Sequence, residues 1–218
     1  MDFYTVLIFF HVLLFAGWFG GHLGVLSLLR QARSPRLDPE HRGFTLRLAM
    51  RIDRIPRTAF ALTPALGLTL AQNWGSPMRG PWLAAAWIVT LVWVWFVWSV
   101  PRESETERAQ LLRKIEGTLM VLGGLAFLVY GVYQLYWGDQ LTAKWLGLKM
   151  ALFGLIPLPS LEIGEAMHRL RPALDELSAT RAPVPVRISR AIDIASIASL
   201  VLYALLIAAA FIGATKPI

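Results

Sequence analysis

Two histidines lie inside the first long apolar stretch of this 218-residue chain, where imidazole side chains are uncommon. His11 and His22 both fall within residues 3–29, a stretch long enough to cross a bilayer as one helix. At about 100° per residue, His11, Trp18 and His22 lie on nearly the same face of that helix. The two imidazoles are about 16 Å apart along the axis and cannot ligate one metal ion together. An imidazole in hydrocarbon is costly unless it is hydrogen-bonded, liganded or facing a polar cavity, so each histidine is a candidate binding residue.

A lysine in a later apolar stretch is the next candidate. Lys149 lies within residues 143–161, at a depth similar to that of His11 when both are counted from the same side. An ionisable residue inside a membrane helix indicates a functional site, although a lysine can also extend its ammonium to the membrane surface. A neutral imidazole is a good axial ligand for haem iron, and it can equally hydrogen-bond a neighbouring helix. We therefore take His11 as the candidate metal ligand, and Lys149 and Trp18 as candidate catalytic residues.

His22 would serve a second site, nearer to the basic segment that follows the first apolar stretch. This segment, residues 30–57, is rich in arginine, and Arg54 and Arg57 lie at its end. Arginine pairs well with carboxylates such as haem propionates, and it also binds anionic lipid headgroups. His22, Arg54 and Arg57 are therefore candidate cofactor-binding residues.

Glu162, Glu165 and His168 form the other pattern with metal-ligand spacing. Glu-x-x-His occurs at carboxylate-bridged metal sites in helical bundles. Such sites need a second copy of the motif and further carboxylates, and the apolar stretches supply almost none. The run is therefore interpreted mainly as a solvated face. No phosphate-binding loop or nucleophile–base set is present in the sequence, which argues against a hydrolase or a nucleotide-driven transporter.

Composition defines the class of protein that must hold these residues. Hydrophobic residues make up 56% of the chain and charged residues 16%, and the mean hydropathy is +0.54. These values predict an all-α, polytopic transmembrane helix bundle built as a single domain over residues 1–218. The net charge of +7 does not indicate a nucleic-acid partner, because the basic residues lie between apolar stretches. The absence of cysteine excludes disulfides and thiolate metal sites.

Six apolar stretches predict six membrane spans with both termini outside. Their approximate bounds are 3–29, 57–74, 81–100, 117–137, 143–161 and 189–213. The connecting segments 30–57, 101–116 and 162–190 are rich in arginine, whereas the alternate connections are short and nearly uncharged. The Lys/Arg bias places the arginine-rich segments in the cytoplasm. We therefore expect a multi-pass protein of a bacterial inner membrane, surrounded by the lipid bilayer.

Two spans have faces that are typical of helix contacts. Glycines recur at intervals of seven along residues 117–138, which lets another helix approach closely. The stretch 81–100 is bulky nearly all round because of its tryptophans, so it is expected to face lipid or a partner subunit. Pro157 and Pro159 are expected to disturb the inner end of the stretch 143–161. The glycine and tryptophan faces are where a homo-oligomer or a partner subunit would assemble.

Three short motifs resemble those of a known family. They are His11-x6-Trp18-Phe19-x-Gly21, Leu62-Thr63-Pro64-Ala65 and Trp145-Leu146-x-x-Lys149. These motifs are similar to those of the HemJ-type protoporphyrinogen oxidases and the wider CopD-like superfamily. The first two spans look most similar to uncharacterised bacterial integral membrane proteins related to them. The resemblance implies a b-type haem near His11 and a functional role for Lys149. In that family the Trp-Leu-x-x-Lys helix directly follows the second span, whereas here it comes two spans later.

Three functional hypotheses follow from these patterns. The first is a b-type haem-binding redox protein, an oxidase of the HemJ-like kind that works with a membrane electron acceptor or quinone. The second is a copper-handling permease of CopD type, for which the scattered methionines supply few thioether pairs. The third is a cofactor-free accessory subunit that assembles through its glycine and tryptophan faces. Visible absorption and metal analysis of the purified protein distinguish the three.

Overall fold

A computed structural model describes residues 2–34, 36–99, 106–138, 143–170 and 184–217, and the regular secondary structure in these ranges is entirely helical. The predicted connections around 100–105, 139–142 and 171–183 lie outside the described residues. The helices, in chain order, are α1 (Phe3–Ala32), α2 (Pro39–Ile52), α3 (Arg54–Ala71), α4 (Pro81–Ser99), α5 (Glu107–Tyr136), α6 (Lys144–Leu155), α7 (Pro157–Leu170) and α8 (Val186–Thr215). A 3-10 turn, Gln72–Trp74, continues α3.

The predicted all-α class with long apolar helices is confirmed. Within the described residues, five helical segments are long and apolar enough to cross a membrane: α1, α4, α5, the combined α6–α7 segment and α8. The predicted second span corresponds to α3, which has 18 residues but is not one of these five. Its apolar character is diluted by Arg54 and Arg57 in the first turn and by Pro64 in the middle.

One helix lies where the sequence indicated only a basic connection. Helix α2 begins after Asp38, whose carboxylate accepts a hydrogen bond from the His41 backbone N–H at 2.9 Å. Pro39 follows at the first helical position, where a missing N–H costs nothing. Leu46 and Met50 of α2 are buried in the same apolar core as α1. The sequence therefore contains the helix start signal Asp-Pro, although the arginines of this segment indicated a connection.

The predicted disturbance by Pro157 and Pro159 is confirmed. Helix α6 ends at Leu155, Ile156 interrupts the hydrogen-bonding pattern, and α7 begins at Pro157. The segment continues to Leu170, beyond the predicted end of the span.

Helices α5 and α6 approach each other closely at glycines. A Cβ atom placed on Gly131 would lie 2.5 Å from the carbonyl oxygen of Gly147, and one placed on Gly154 would lie 2.6 Å from that of Gly124. Real side chains do not tolerate such distances, so the contact requires glycine. The predicted role of the glycine row is confirmed for Gly124 and Gly131.

Four helix ends meet at one end of the bundle, which we name the cavity end. Tyr4, Trp74, Trp145 and Lys216 all line one cavity there. The indole N–H of Trp74 donates to the Tyr4 hydroxyl at 3.0 Å, and the Trp74 and Trp145 rings pack edge to face at 5.3 Å. The cavity end therefore gathers the N-termini of α1 and α6 and the C-termini of α3 and α8.

Candidate functional site

The cavity brings together three of the predicted site residues. It has a volume of about 370 Å³ and lies between α1, α3, α6 and α8, with one wall residue from α5. His11 and Trp18 of α1 line it, and Lys149 of α6 lines it from the other side. Thr63 and Pro64 of α3 also belong to its wall. All three motifs that carry the family resemblance therefore contribute residues to one cavity.

His11 holds a half-buried position on the wall formed by α1. Its Nδ1 atom is buried and has no hydrogen-bond partner among the described residues. The ring lies against α3, because a Cβ atom placed on Gly67 would be 3.6 Å from Cε1 of His11. An imidazole with an unsatisfied nitrogen beside a cavity is suited to bind a metal centre or a hydrogen-bonding ligand.

Lys149 directs its amine toward the last turn of α8. A Cβ atom placed on Gly213 would overlap with Nζ of Lys149 and would lie 3.3 Å from its Cε. Gly213 thus leaves the room that the lysine occupies. No carboxylate of the described residues forms an ion pair with Lys149.

Lys216 is a cavity residue that the sequence analysis missed. It caps α8 in the left-handed conformation, with φ of 48°, and its Nζ lies 4.0 Å from the ring centroid of Trp74 and 5.8 Å from that of Trp145. The sequence signal was slight: a lysine just after an apolar helix is typical of any membrane boundary. Only the return of α8 to the ends of α3 and α6 makes it part of the cavity.

Trp18 is part of an aromatic floor beneath these polar groups. The indole is 3% exposed, and it packs edge-on against Phe60 at 5.1 Å and against Phe153 at 6.1 Å. Phe153 in turn stacks on Phe60 at 5.6 Å and contacts Phe127 at 5.1 Å. Trp18 therefore shapes the cavity, and its indole contributes a wall to it.

His22 does not line this cavity. It is buried on the same helix toward the opposite end, and neither ring nitrogen has a hydrogen-bond partner among the described residues. Asp53 and Arg57 are close enough to act on its imidazole electrostatically. The close approach of α1 to the start of α3 depends on Gly21, where a Cβ atom would be 2.9 Å from Cδ of Pro56.

Arg54 and Arg57 also lie outside the cavity. The Arg57 guanidinium donates from Nε to Asp53 at 2.5 Å and from one terminal nitrogen to Glu116 of α5 at 3.3 Å. Both carboxylates are buried, so Arg57 joins α3 to α5 through a shielded ionic contact. Arg54 lies over the ring of Trp98 of α4, with its guanidinium carbon 5.8 Å from the centroid. Neither Asp53 nor Glu116 was singled out in the sequence.

A second cavity of about 420 Å³ lies between α5 and α7 beside Arg57. Glu165 and His168 of the Glu-x-x-Glu-x-x-His run contribute to its lining. Glu165 accepts a hydrogen bond from Arg169 at 3.0 Å, in an exposed pair. Within the part of the chain that the structure describes, no group of three or more His, Asp or Glu side chains is arranged to hold a metal ion.

The helices and the cavity define a class: an all-helical protein whose long apolar helices are compatible with a multi-pass membrane bundle, with a partly enclosed site at one end. Comparison with models of protein families, with curated proteins and with solved structures found no match.

Proposed function

We propose that the chain is a membrane redox protein that binds b-type haem in the cavity, with His11 as an axial ligand and an activity of the HemJ-like oxidase kind. One observation carries the proposal. The cavity is lined by His11 and Trp18 of α1, by Thr63 and Pro64 of α3 and by Lys149 of α6, and these helices are far apart in the sequence. These are residues of the three motifs that resemble the haem-binding family.

The residues present fit the group. The buried Nδ1 of His11 has no partner among the described residues, and this imidazole would hold the haem iron. Trp18 and Phe153 line the cavity and pack on Phe60, and they would exclude water from an apolar macrocycle. The ammonium of Lys149 is available to a propionate. When bound, haem supplies one-electron redox chemistry, and its potential responds to the polarity of this wall.

The proposed topology has six spans, α3 being the second, and both termini outside. Tyr4 near the start of α1 and Lys216 at the end of α8 line one cavity, which supports an even number of crossings. The end of α1 and the start of α3, with their arginines, belong to the opposite end. The Lys/Arg bias assigns that end to the cytoplasm, and a membrane electron acceptor or quinone would approach from within the bilayer.

The test is the visible spectrum of the protein purified from cells supplied with haem. We expect a Soret band that His11→Ala abolishes or strongly alters, because the variant loses the axial ligand. His41→Ala is the matched control, since the His41 side chain is 69% exposed on α2 and outside the cavity. A parent protein without a Soret band, or a His11→Ala variant with an unchanged one, contradicts the proposal.

A copper permease of CopD type is the second candidate, favoured by Met150, which lines the same cavity as His11. Imidazole and thioether are both suitable ligands for Cu(I). Elemental analysis after copper loading distinguishes it: bound copper lost in Met150→Leu, without a Soret band, supports this candidate. If the protein binds neither haem nor copper, the cofactor-free accessory subunit remains as the third candidate. The exposed Trp95 and Trp98 of α4 offer an assembly face for it.

A further inference from the structure

We infer that Lys149 and Lys216 together form an anion-binding site at the cavity end, and that the ligand is an amphipathic molecule with a carboxylate or phosphate on an apolar body. The inference deepens the proposed function, since it rests on the same cavity, but it does not require iron.

The charge of the cavity lining is the first reason. Two lysines line it, and no aspartate or glutamate of the described residues does. Neither ammonium has an ion-pair partner in the part of the chain that the structure describes. Lys149 is the half-buried one of the two, and a cation at the edge of a low-dielectric space is costly without a counter-charge, which a ligand with an anionic group supplies.

Helix dipoles supply only part of that counter-charge. Each helix end carries roughly half an elementary charge, positive at an N-terminus and negative at a C-terminus. Two N-termini, of α1 and α6, and two C-termini, of α3 and α8, meet at the cavity end. The effect is confined to the nearest turn, and both lysines lie at the C-terminus of α8. Its partial charge of roughly half a unit is smaller than their two positive charges, so a net positive charge remains.

The two lysines are held close to one another by α8. The Lys149 amine lies against Gly213, and Lys216 follows three residues later at the helix cap. Three residues of helix rise about 4.5 Å, so the amine of Lys149 and the backbone of Lys216 are about one turn apart along α8. The inferred anion, one phosphate or the carboxylates of one molecule, would bind between these two side chains.

Aromatic groups position Lys216 without neutralising it. Its ammonium lies over Trp74 and beside Trp145, a cation–π arrangement that orients the charge and leaves it available to an anion. Tyr4 accepts the Trp74 indole N–H, which leaves the phenolic proton of Tyr4 free to donate to the same anion. The Tyr4 hydroxyl and the Lys216 ammonium thus both contact Trp74 at the cavity end.

The opposite part of the cavity requires an apolar ligand body. Phe15, Phe127 and Phe153 line it beside Trp18. The volume, about 370 Å³, falls within the range of roughly 300–1,000 Å³ that is usual for small-molecule pockets. The propionates of haem and the carboxylate or phosphate of a membrane lipid share this chemistry, and the experiment must distinguish them.

The test compares each acid with its neutral ester in purified protein. One arm uses haem and haem dimethyl ester, followed by the Soret band, and the other uses a fluorescent long-chain fatty acid and its methyl ester. The variants are Lys216→Met and Lys149→Met. Lys216 is exposed at the end of α8, so its substitution should leave the fold intact. Lys144→Met is the matched control, because Lys144 is exposed at the start of α6 and does not line the cavity.

We expect the parent protein to bind the acid about tenfold more tightly than the ester in at least one arm, since charge-assisted hydrogen bonds are lost in the ester. Lys216→Met should reduce this preference to about threefold or less, and Lys144→Met should retain it. Preference in the haem arm identifies propionates as the anion, and preference in the fatty-acid arm alone identifies a lipid.

The inference is overturned if acid and ester bind equally in both arms, or if Lys144→Met lowers the preference as much as Lys216→Met does. Its failure is separable from that of the haem proposal. Haem bound through His11 with no preference over its dimethyl ester overturns the anion site alone. Fatty-acid preference without any haem binding overturns the haem proposal alone.

Discussion

At the scale of single residues, cations with and without a carboxylate partner have different meanings. Arg57 is paired with carboxylates from its own helix region and from α5, so its charge is satisfied within the protein. Lys149 and Lys216 have no such partners among the described residues. The first arrangement holds helices together, and the second is available to a ligand.

Arg57→Met tests the first arrangement. The substitution removes the Arg57 cation from the buried carboxylates of Asp53 and Glu116, so we expect a loss of about 3–5 kcal/mol in the free energy of unfolding. The measurement is unfolding in detergent micelles with increasing denaturant. Arg169→Met is the control, because its pair with Glu165 is more than half exposed on the arginine side and is worth about 1 kcal/mol or less. Equal losses in the two variants would show that Arg57 has no special structural role.

At the scale of elements, short sequence features decided how helices meet. Glycines allow α5 and α6 to approach at backbone distance, and Pro157 divides the next segment into α6 and α7. Lys149 lies on α6, before this break, whereas Glu165 and His168 lie on α7, after it. The first cavity is therefore lined by residues of α6, and the second cavity is lined by residues of α7.

Gly131→Ala tests the helix contact. The added Cβ would meet the backbone of α6, with the Gly147 carbonyl oxygen 2.5 Å away, so the helices must separate. We expect a destabilisation of about 1–3 kcal/mol in detergent unfolding. Gly123→Ala, on the same helix, has no atom within 4 Å of the added group, and it should be neutral or stabilising by up to about 1 kcal/mol. An unchanged stability in Gly131→Ala would contradict the close contact.

At the scale of the whole molecule, the path of α3 decides the topology. Its length is 18 residues, and it links the end rich in arginine to the cavity end, where Trp74 meets Tyr4. A bundle with α3 as a crossing has six spans and both chain ends on one side. A bundle without it would place Asn73 and Arg36 on the same side of the membrane.

Single-cysteine labelling tests this path, because the chain has no cysteine of its own. Asn73→Cys, in the exposed turn after α3, should react with a membrane-impermeant maleimide in intact cells. Arg36→Cys, in the connection between α1 and α2, should react only after permeabilisation, since arginine-rich segments stay in the cytoplasm. Reaction of both residues from the outside, or of neither, would exclude six spans with both termini outside.

Local chemistry explains which predictions from sequence the structure bears out. The helical class and the break at Pro157 each depend on residues close together in the chain. The site roles of His11, Trp18 and Lys149 stay predictions, and they rest on polar or motif residues in apolar stretches, which are visible in the sequence alone. Helix α2 was not predicted, because its arginines indicated a connection between spans despite the Asp38-Pro39 start signal.

The sequence by itself determined the long apolar helices, because hydropathy is a property of consecutive residues and backbone hydrogen bonds are made within each helix. Tertiary structure decided which side chains share a site. His11, Lys149 and Lys216 come together only because α1, α6 and α8 end at the same place, and Arg57 meets Glu116 only because α3 packs beside α5. Packing between helices depends on contacts between residues far apart in the chain, and these contacts have no signature in any single apolar stretch.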